Sequence, residues 1–420
     1  MRRVLAVIMG GGRGTRLFPL TKDRSKPAVP LGAKYRLVDI PISNCLNSDI
    51  KKIYILTQFN TASLHMHINR SFSFDIFSNG YIDILPAEQT LTSEMWYQGT
   101  ADAVRKNLRH FADPSIDYIL ILSGDQLYRM NFNSILEYHI EKNAEITVSV
   151  LPVEEEKTSG FGILKVNKSG QITNFFEKPT DPKILKDYRV SNWKFFSETT
   201  DVHPDKKYLA SMGIYVFNRN IIDEVLNNDK TDFGKHIIPD CIKTRNVYAY
   251  PFEGYWEDIG TISSFYEANL EMTKKNPKFN FFDPSSPVYT HPRFLPPSRL
   301  ANCNIVDSIV SEGCIIEGSE IHNSVIGIRS IISQGSSIYD SIIMGMDHLE
   351  DSPTDSRGPR GIGKNCTIHR TIIDKNARIG DGTIITSKEG FDNGDFANYY
   401  IRDGIVIIPK NAVISPGTMI

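Results

Sequence analysis

Short apolar runs punctuate the first two-thirds of the chain. Residues 4–9 (VLAVIM), 53–57 (IYILT) and 118–122 (YILIL) are dense in Val, Ile, Leu and Tyr, the pattern of strands buried on both faces of a largely parallel sheet. Between them, residues 100–111 (TADAVRKNLRHF) place Ala103, Val104, Leu108 and Phe111 on one helical face, with Thr100 as the cap. Further runs at 146–151, 162–166, 172–176 and 209–217 continue the series. Strands alternating with helices over residues 1–273 predict a doubly wound, mostly parallel α/β domain. Such sheets bind ligands beyond the carboxyl ends of their strands.

The texture changes at residues 274–300, KKNPKFNFFDPSSPVYTHPRFLPPSRL. Repeated prolines forbid a continuous helix or central strand. Phe279, Phe281, Phe282, Tyr289 and Phe294 make this a connector that packs onto a domain. From residue 301 the apolar positions recur every five or six residues: Ile309, Ile315, Ile321, Ile326, Ile332, Ile338 and Ile343, then Ile368, Ile373, Ile379 and Ile385, then Ile407, Val413 and Met419. An amphipathic helix would repeat at about 3.6 residues. One apolar residue in six, with Gly, Ser, Asn and Asp between, predicts a left-handed parallel β-helix of hexapeptide repeats over 301–420, each inward side chain stacking beneath the one a coil later. Residues 347–363 and 387–404 break the count and read as loops. The open ends and flat sides of a solenoid favour a homo-oligomer.

Composition narrows the partners. The 420 residues suffice for two domains with substantial cores, and 40% apolar with 23% charged residues is ordinary for a soluble globular protein. A formal net charge of −2 gives no overall basic field for nucleic acid or anionic lipid, so any anion site is local. The five cysteines lack CxxC spacing and read as apolar fillers in a reducing cytoplasm. No run approaches the roughly 18 apolar residues of a membrane span.

Local anion chemistry is visible at the first strand. Residues 4–9 stop at Gly10-Gly11-Gly12, and Arg13, Arg16, Lys22, Arg24 and Lys26 follow. Bare backbone N–H groups with nearby cations suit a polyphosphate; the bland alternative is a tight turn. The loop fits neither GxGxxG nor GxxxxGK[ST]. Asp125 ends the run YILILSGD and either holds Mg²⁺ against phosphate oxygens or caps the next segment. Glu257-Asp258 in GYWEDIGT offers a second carboxylate or a helix N-cap, and Lys178 in NFFEKP a sugar-phosphate cation or a solvated strand end. Trp96, Tyr97 and Gln98, before Gly99-Thr100, are a core pair or a ligand platform. No Ser/His/Asp order or HExxH occurs and the ten histidines do not cluster, so covalent catalysis has no candidate. Acid pairs and cations remain, the equipment of phosphoryl or nucleotidyl transfer.

The segments GGGRGTRLFPLTKDRSKPAVPLGAKYRLVDIPISNCLNS, WYQGTADAV, SGDQLYRM, FFEKP, SMGIYVF, YWEDIGT and IIDKNARIG together resemble the sugar-nucleotide pyrophosphorylases, and among them the ADP-glucose pyrophosphorylase family of plant and cyanobacterial type. The resemblance runs nearly end to end. It implies the reaction ATP + α-D-glucose 1-phosphate ⇌ ADP-glucose + pyrophosphate, an allosterically regulated step of glycogen or α-glucan synthesis, with Mg²⁺ and a homotetramer. By that likeness Gly10, Gly11, Gly12, Gly14 and Thr15 wrap the nucleotide phosphates, Arg16 and Lys26 neutralise the leaving pyrophosphate, Asp125 and Asp258 hold the metal, and Gln98 with Gly99 reads adenine. Gly162, Glu177, Lys178, Ser211, Tyr215, Asp232 and Trp256 match the glucose 1-phosphate pocket. Regulatory subunits of the family replace the loop arginine and lysine; Arg16 and Lys26 are both present, which implies a catalytic chain. Arg24, Arg36, Lys52, His67 and Arg293 match anion-binding positions, and Lys375 and Lys410 match activator lysines. Met66 stands where an arginine is expected, and Lys34 follows the enteric rather than the plant pattern. The implied effectors are a phosphorylated metabolite as activator, either 3-phosphoglycerate or a sugar phosphate such as fructose 1,6-bisphosphate, and phosphate or AMP as inhibitor. A UTP- or dTTP-using enzyme and a non-catalytic subunit are the competing readings.

Overall fold

The computed structural model describes residues 3–75, 77–88, 96–190, 193, 205–348, 360–388, 390–391 and 393–420. In its first part, besides a short pair Pro30–Leu31 with Tyr35–Arg36, the strands are β1 (Val4–Met9), β2 (Lys52–Thr57), β3 (Tyr81–Pro86), β4 (Tyr118–Ser123), β5 (Gln126–Tyr128), β6 (Ile146–Val153), β7 (Gly162–Val166), β8 (Ile172–Glu177), β9 (Tyr208–Asn218), β10 (Val247–Pro251) and β11 (Trp256–Asp258). The apolar runs do become central strands: β1 lies between β4 and β2, all parallel, with β3 parallel at the edge. Val4 to Ile8 are buried, because helices cover both faces of this half. Beyond β4 the pairings are antiparallel, with β9 pairing β4, β6 and β7, and β7 pairing β8, except that β10 runs parallel to β6. The fold is α/β with a mixed sheet. The short ribbon β5–β11 stands apart, Asp258 opposite Gln126.

The helix expected at 100–111 is an α-helix over Thr100–Lys106 and a 3₁₀ turn over Leu108–Phe111. Thr100 is not its cap: Gly99 holds that position, and the Thr100 hydroxyl instead accepts from the Phe233 N–H at 3.2 Å. The aromatic connector packs onto the first domain through Phe279 and Phe281, whereas Phe282, Tyr289 and Phe294 are exposed. Tyr35 stacks on Phe281 at 4.3 Å, Phe279 is buried beneath Arg129, and Asn47 donates to the Pro287 carbonyl at 2.9 Å.

The C-terminal part is a parallel β-helix with three sheets of stacked short strands, residue pairs such as Ile321↔Ile338 and Ile338↔Ile368 lying one coil apart. The inward column contains Ile321, Ile326, Ile332, Ile338, Ile343, Ile368, Ile373, Ile379 and Ile385, in the expected positions. Five positions differ. Val310, Ile316, Ile408, Ile414 and Ile420 join the column in place of Ile309, Ile315, Ile407, Val413 and Met419, and Met419 is 77% exposed. At each of these sites two apolar residues are adjacent or the last stands beside an apolar chain end, and spacing alone cannot say which of two neighbours points inward. Ile407 is nonetheless fully buried, as are Val325, Ile342 and Ile372, because the outer face of their sheet packs on the core of the first domain. The domains are also tied by Thr273 donating to Asn323 at 2.8 Å, Tyr266 donating to the Asp340 carbonyl, and Arg24 on Asp374. Of the expected loops, 349–359 lies outside the described residues, and 387–404 contains a hairpin, Gly394–Asp395 with Tyr400–Arg402, that extends one sheet.

Candidate active site

Because β1 and β4 are in register with Met9 opposite Ser123, the glycine loop and Asp125 leave the sheet at one edge. The Gly10 N–H donates to Leu56 O at 2.7 Å, which turns the chain away from the sheet. Gly14 has φ +60°, and a Cβ there would stand 3.0 Å from the Thr21 methyl, so only glycine passes the loop back under Lys26 without strain. Thr15 and Arg16 sit on the turn Thr15–Leu17, and Lys26 opens the turn Lys26–Ala28. Together with Gly11, Gly12, Asp125 and Gly260 they line a cleft of about 220 Å³.

The Lys26 ammonium contacts Asp125 and lies 3.9 Å from Asp258; Arg16 Nη2 lies 4.0 Å from Asp258. The Ser123 hydroxyl donates to Asp125. Burial pushes the Asp125 carboxyl up, but Lys26 and Ser123 hold it below its ordinary range. Asp258 goes the other way, raised by burial and by the Asp125 charge beside it. Two carboxylates of opposite perturbation thus share one edge.

A second cleft of about 200 Å³ opens from the same residues; its lining includes Arg16, Asp125, Gln126, Gly162, Glu177, Lys178, Ser211, Met212, Tyr215, Trp256 and Asp258. Gly162 is required there, because a Cβ would stand 2.4 Å from the Phe175 ring and 2.8 Å from Glu177 Oε2. Burial raises the Glu177 carboxyl against the opposing pull of Lys178, whose ammonium is 3.7 Å away. Asp232 lies outside the lining; it caps the helical turn Phe233–Ile237 by accepting from Lys235 N–H at 2.9 Å, and its charge reaches Glu177. Gln98 is exposed and folds back on the Trp96 carbonyl at 2.7 Å, and neither it nor Gly99 lines either cleft. Residues 89–95, just before, lie outside the described set.

A phosphate-sized cleft and a second polar cleft thus share Arg16 and Asp125. Residues 5–275 match the family model described as Nucleotidyl transferase. The chain belongs to the nucleotidyl transferase family. Residues 293–419 match the GLGC left-handed parallel beta-helix domain, and this pair of domains is the architecture of ADP-glucose pyrophosphorylase-like proteins.

In this nucleotidyl transferase a second group of cations lies where the domains meet. Lys375 Nζ is 2.8 Å from Asp347 Oδ1 and Lys410 Nζ 3.3 Å from Oδ2. His67 Nε2 is 2.6 Å from Asp39, which also accepts from the Arg36 N–H at 2.9 Å. Burial and the Arg36 and Arg293 charges, opposed by Asp347, bring Lys375 down to about 8, and burial brings Arg36 down to about 10. Arg293 donates to the Lys34 carbonyl at 3.3 Å, while Lys34 pairs with Glu312 at 2.7 Å; these three line a cavity of about 450 Å³. Arg24 is committed to Asp374. Lys52 lies elsewhere: as the first residue of β2 it pairs with Asp113 at 2.7 Å, at the amino end of the sheet. Met66 is exposed. Sequence reasoning missed Asp347, the carboxylate shared by both lysines, because it stands in a stretch that breaks the repeat and carries no periodic signal.

Proposed function

We propose that this chain transfers the adenylyl group of ATP to α-D-glucose 1-phosphate, giving ADP-glucose and pyrophosphate, as the regulated step of α-glucan synthesis. The observation that carries the reading is the junction of the two clefts at Arg16 and Asp125, with Asp258 beside them. Nucleotide phosphates enter the glycine-loop cleft and the sugar phosphate enters the cleft of Glu177, Lys178 and Trp256. The sugar-phosphate oxygen attacks the α-phosphorus in line, and the bond to the β-phosphate oxygen breaks. That nucleophile is already anionic near neutral pH, so the protein supplies position and charge stabilisation rather than a general base. Arg16 and Lys26 offset the charge gathering on pyrophosphate. Asp125 and Asp258 form a hard-oxygen pair; among the described residues no cluster of three ligating side chains accompanies them. Two carboxylates completed by substrate phosphates fit Mg²⁺. Bound there, Mg²⁺ would neutralise phosphate charge as a Lewis acid.

In the same reading the interdomain cations bind the effectors: Lys375, Lys410, Arg36, His67 and Arg293 for phosphate groups, with Lys34 at the adjoining cavity. The assembly is a homotetramer in the cytoplasm. Support comes from the open first coil, where Leu300 is 49% exposed, and from five free cysteines. No described helix is long and apolar enough to cross a membrane.

The deciding experiment measures pyrophosphate release from ATP, UTP and dTTP with glucose 1-phosphate, with and without phosphorylated metabolites and inorganic phosphate. ATP should be preferred and a phosphorylated metabolite should stimulate. Preference for UTP or dTTP, or inactivity of the chain alone, overturns the assignment. Lys410→Ala should raise the activator concentration needed for half-maximal response while leaving basal turnover unchanged.

A further inference from the structure

Gln126 opens β5 immediately after Asp125 and has no role in the reading above, on which the following rests for the identity of the second cleft. The residue is 7% exposed. Its Nε2 donates to the Met212 carbonyl at 2.7 Å, and its Oε1 accepts from the Trp256 indole Nε1–H at 3.2 Å. An indole N–H only donates and a peptide carbonyl only accepts, so these partners dictate the amide orientation and demand a neutral side chain with one donor and one acceptor end.

Each partner belongs to a different wall of the sugar cleft. Met212 lies in the irregular stretch of β9 where pairing to β6 slips between Ser211 and Tyr215 and Gly213 takes φ +70°. Ser211 and Tyr215, on either side of that slip, both line the cleft. Trp256 begins β11, which ends at Asp258 directly opposite Gln126.

We propose that Gln126 is a positioning residue that sets sugar-phosphate affinity and selectivity, its amide clamping the β9 irregularity to the Trp256 indole across the cleft. Without the clamp two buried polar groups lose their partners, and the walls relax in the free enzyme. Substrate must then restore them, so apparent affinity falls by the fraction of molecules still in the competent arrangement. Gln126 itself lines the sugar cleft beside Met212 and Trp256 but does not line the glycine-loop cleft, so the effect falls on the sugar phosphate rather than the nucleotide.

The test uses the full chain as wild type, Q126L (neither hydrogen bond), Q126E (a carboxylate oxygen against the Met212 carbonyl) and Q126H (one donor and one acceptor). KM for each substrate, Tm, and the ratio of kcat/KM for glucose 1-phosphate over galactose and mannose 1-phosphate are measured. Q126L and Q126E should raise KM for the sugar phosphate by roughly ten-fold, the scale of losing one or two buried hydrogen bonds. KM for ATP should stay within about two-fold, the selectivity ratio should fall, and Q126H should recover most of both. Equal rises in the two KM values, an unchanged selectivity ratio, or a Q126H no better than Q126L would overturn the proposal. Should Q126L and Q126E fail to fold, Q126H decides alone: it must keep sugar affinity and selectivity near wild type. If wild type turns over a different sugar 1-phosphate, the glucose reading fails, and the clamp is judged on the sugar phosphate that is used.

Discussion

Arg24 and Asp374 join the two domains through a pair hidden from water, and Arg24→Ala breaks it from one side. The guanidinium Nη1 lies 2.9 and 3.0 Å from the two Asp374 oxygens and Nη2 lies 2.9 Å from Oδ1, with both residues 3% exposed. Removing the arginine leaves Asp374 with the Lys375 N–H at 2.6 Å in place of those three contacts. Stripping one partner from such a pair costs about 3–5 kcal/mol, because a buried charge is left uncompensated. At about 2–4 °C per kcal/mol for a domain of this size, Tm should fall by roughly 6–20 °C. Replacing both partners with apolar side chains removes the orphaned charge, so R24M/D374L should be more stable than either single variant. Calorimetry of wild type, both singles and the double, at equal protein concentration without effectors, reads the cycle. An R24A chain within about 2 °C of wild type, or a double as unstable as the two singles summed, refutes the reasoning. The same variant separates two roles. A normal Tm with a lost effector response would make Arg24 an anion ligand rather than an interdomain tie.

Asp125→Asn removes the carboxylate that Lys26 and Ser123 hold ionised, and kcat should drop on the order of 10²–10³, the scale of one preorganised charged contact; wild-type turnover with glucose 1-phosphate and ATP would contradict the site. Lys375 loses its charge as pH rises through about 8, so affinity of the interdomain site for sulfate, whose own charge is constant in this range, read by calorimetric titration, should be flat just below that pH. Above it the affinity should weaken by at most about ten-fold per pH unit, the limit for one linked proton. A flat profile up to pH 9 would remove Lys375 from the site. Gly162→Ala forces a methyl into the space held by Phe175 and Glu177, and should raise KM for the sugar phosphate while leaving KM for ATP unchanged in the same steady-state assay.

Much of this molecule was legible in one dimension because its signals are local or periodic. The runs at 4–9, 53–57 and 118–122 read as central strands because they are short, rich in Val, Ile, Leu and Tyr, and the first stops at glycines. The β-helix followed from a repeat of five or six, which no α-helix satisfies. The glycine loop with Arg16 and Lys26 could be grouped from sequence because its residues are close along the chain, and the fold does bring them to one cleft. What sequence could not decide was which of two adjacent isoleucines faces inward, as at Ile315 and Ile316. Spacing carries no phase, and the outward partner can be buried too once a second domain covers that sheet, as at Ile407. Nor could it show that Asp125 and Asp258 share an edge, which needs the β5–β11 ribbon to bring residue 258 opposite residue 126. Arg24 read as an anion ligand, but tertiary structure gave it Asp374, 350 residues away; Lys52 read likewise and sits at the far end of its strand. A cation's partner is chosen by whatever the fold carries within a few ångströms, and that is a property of the packed chain alone.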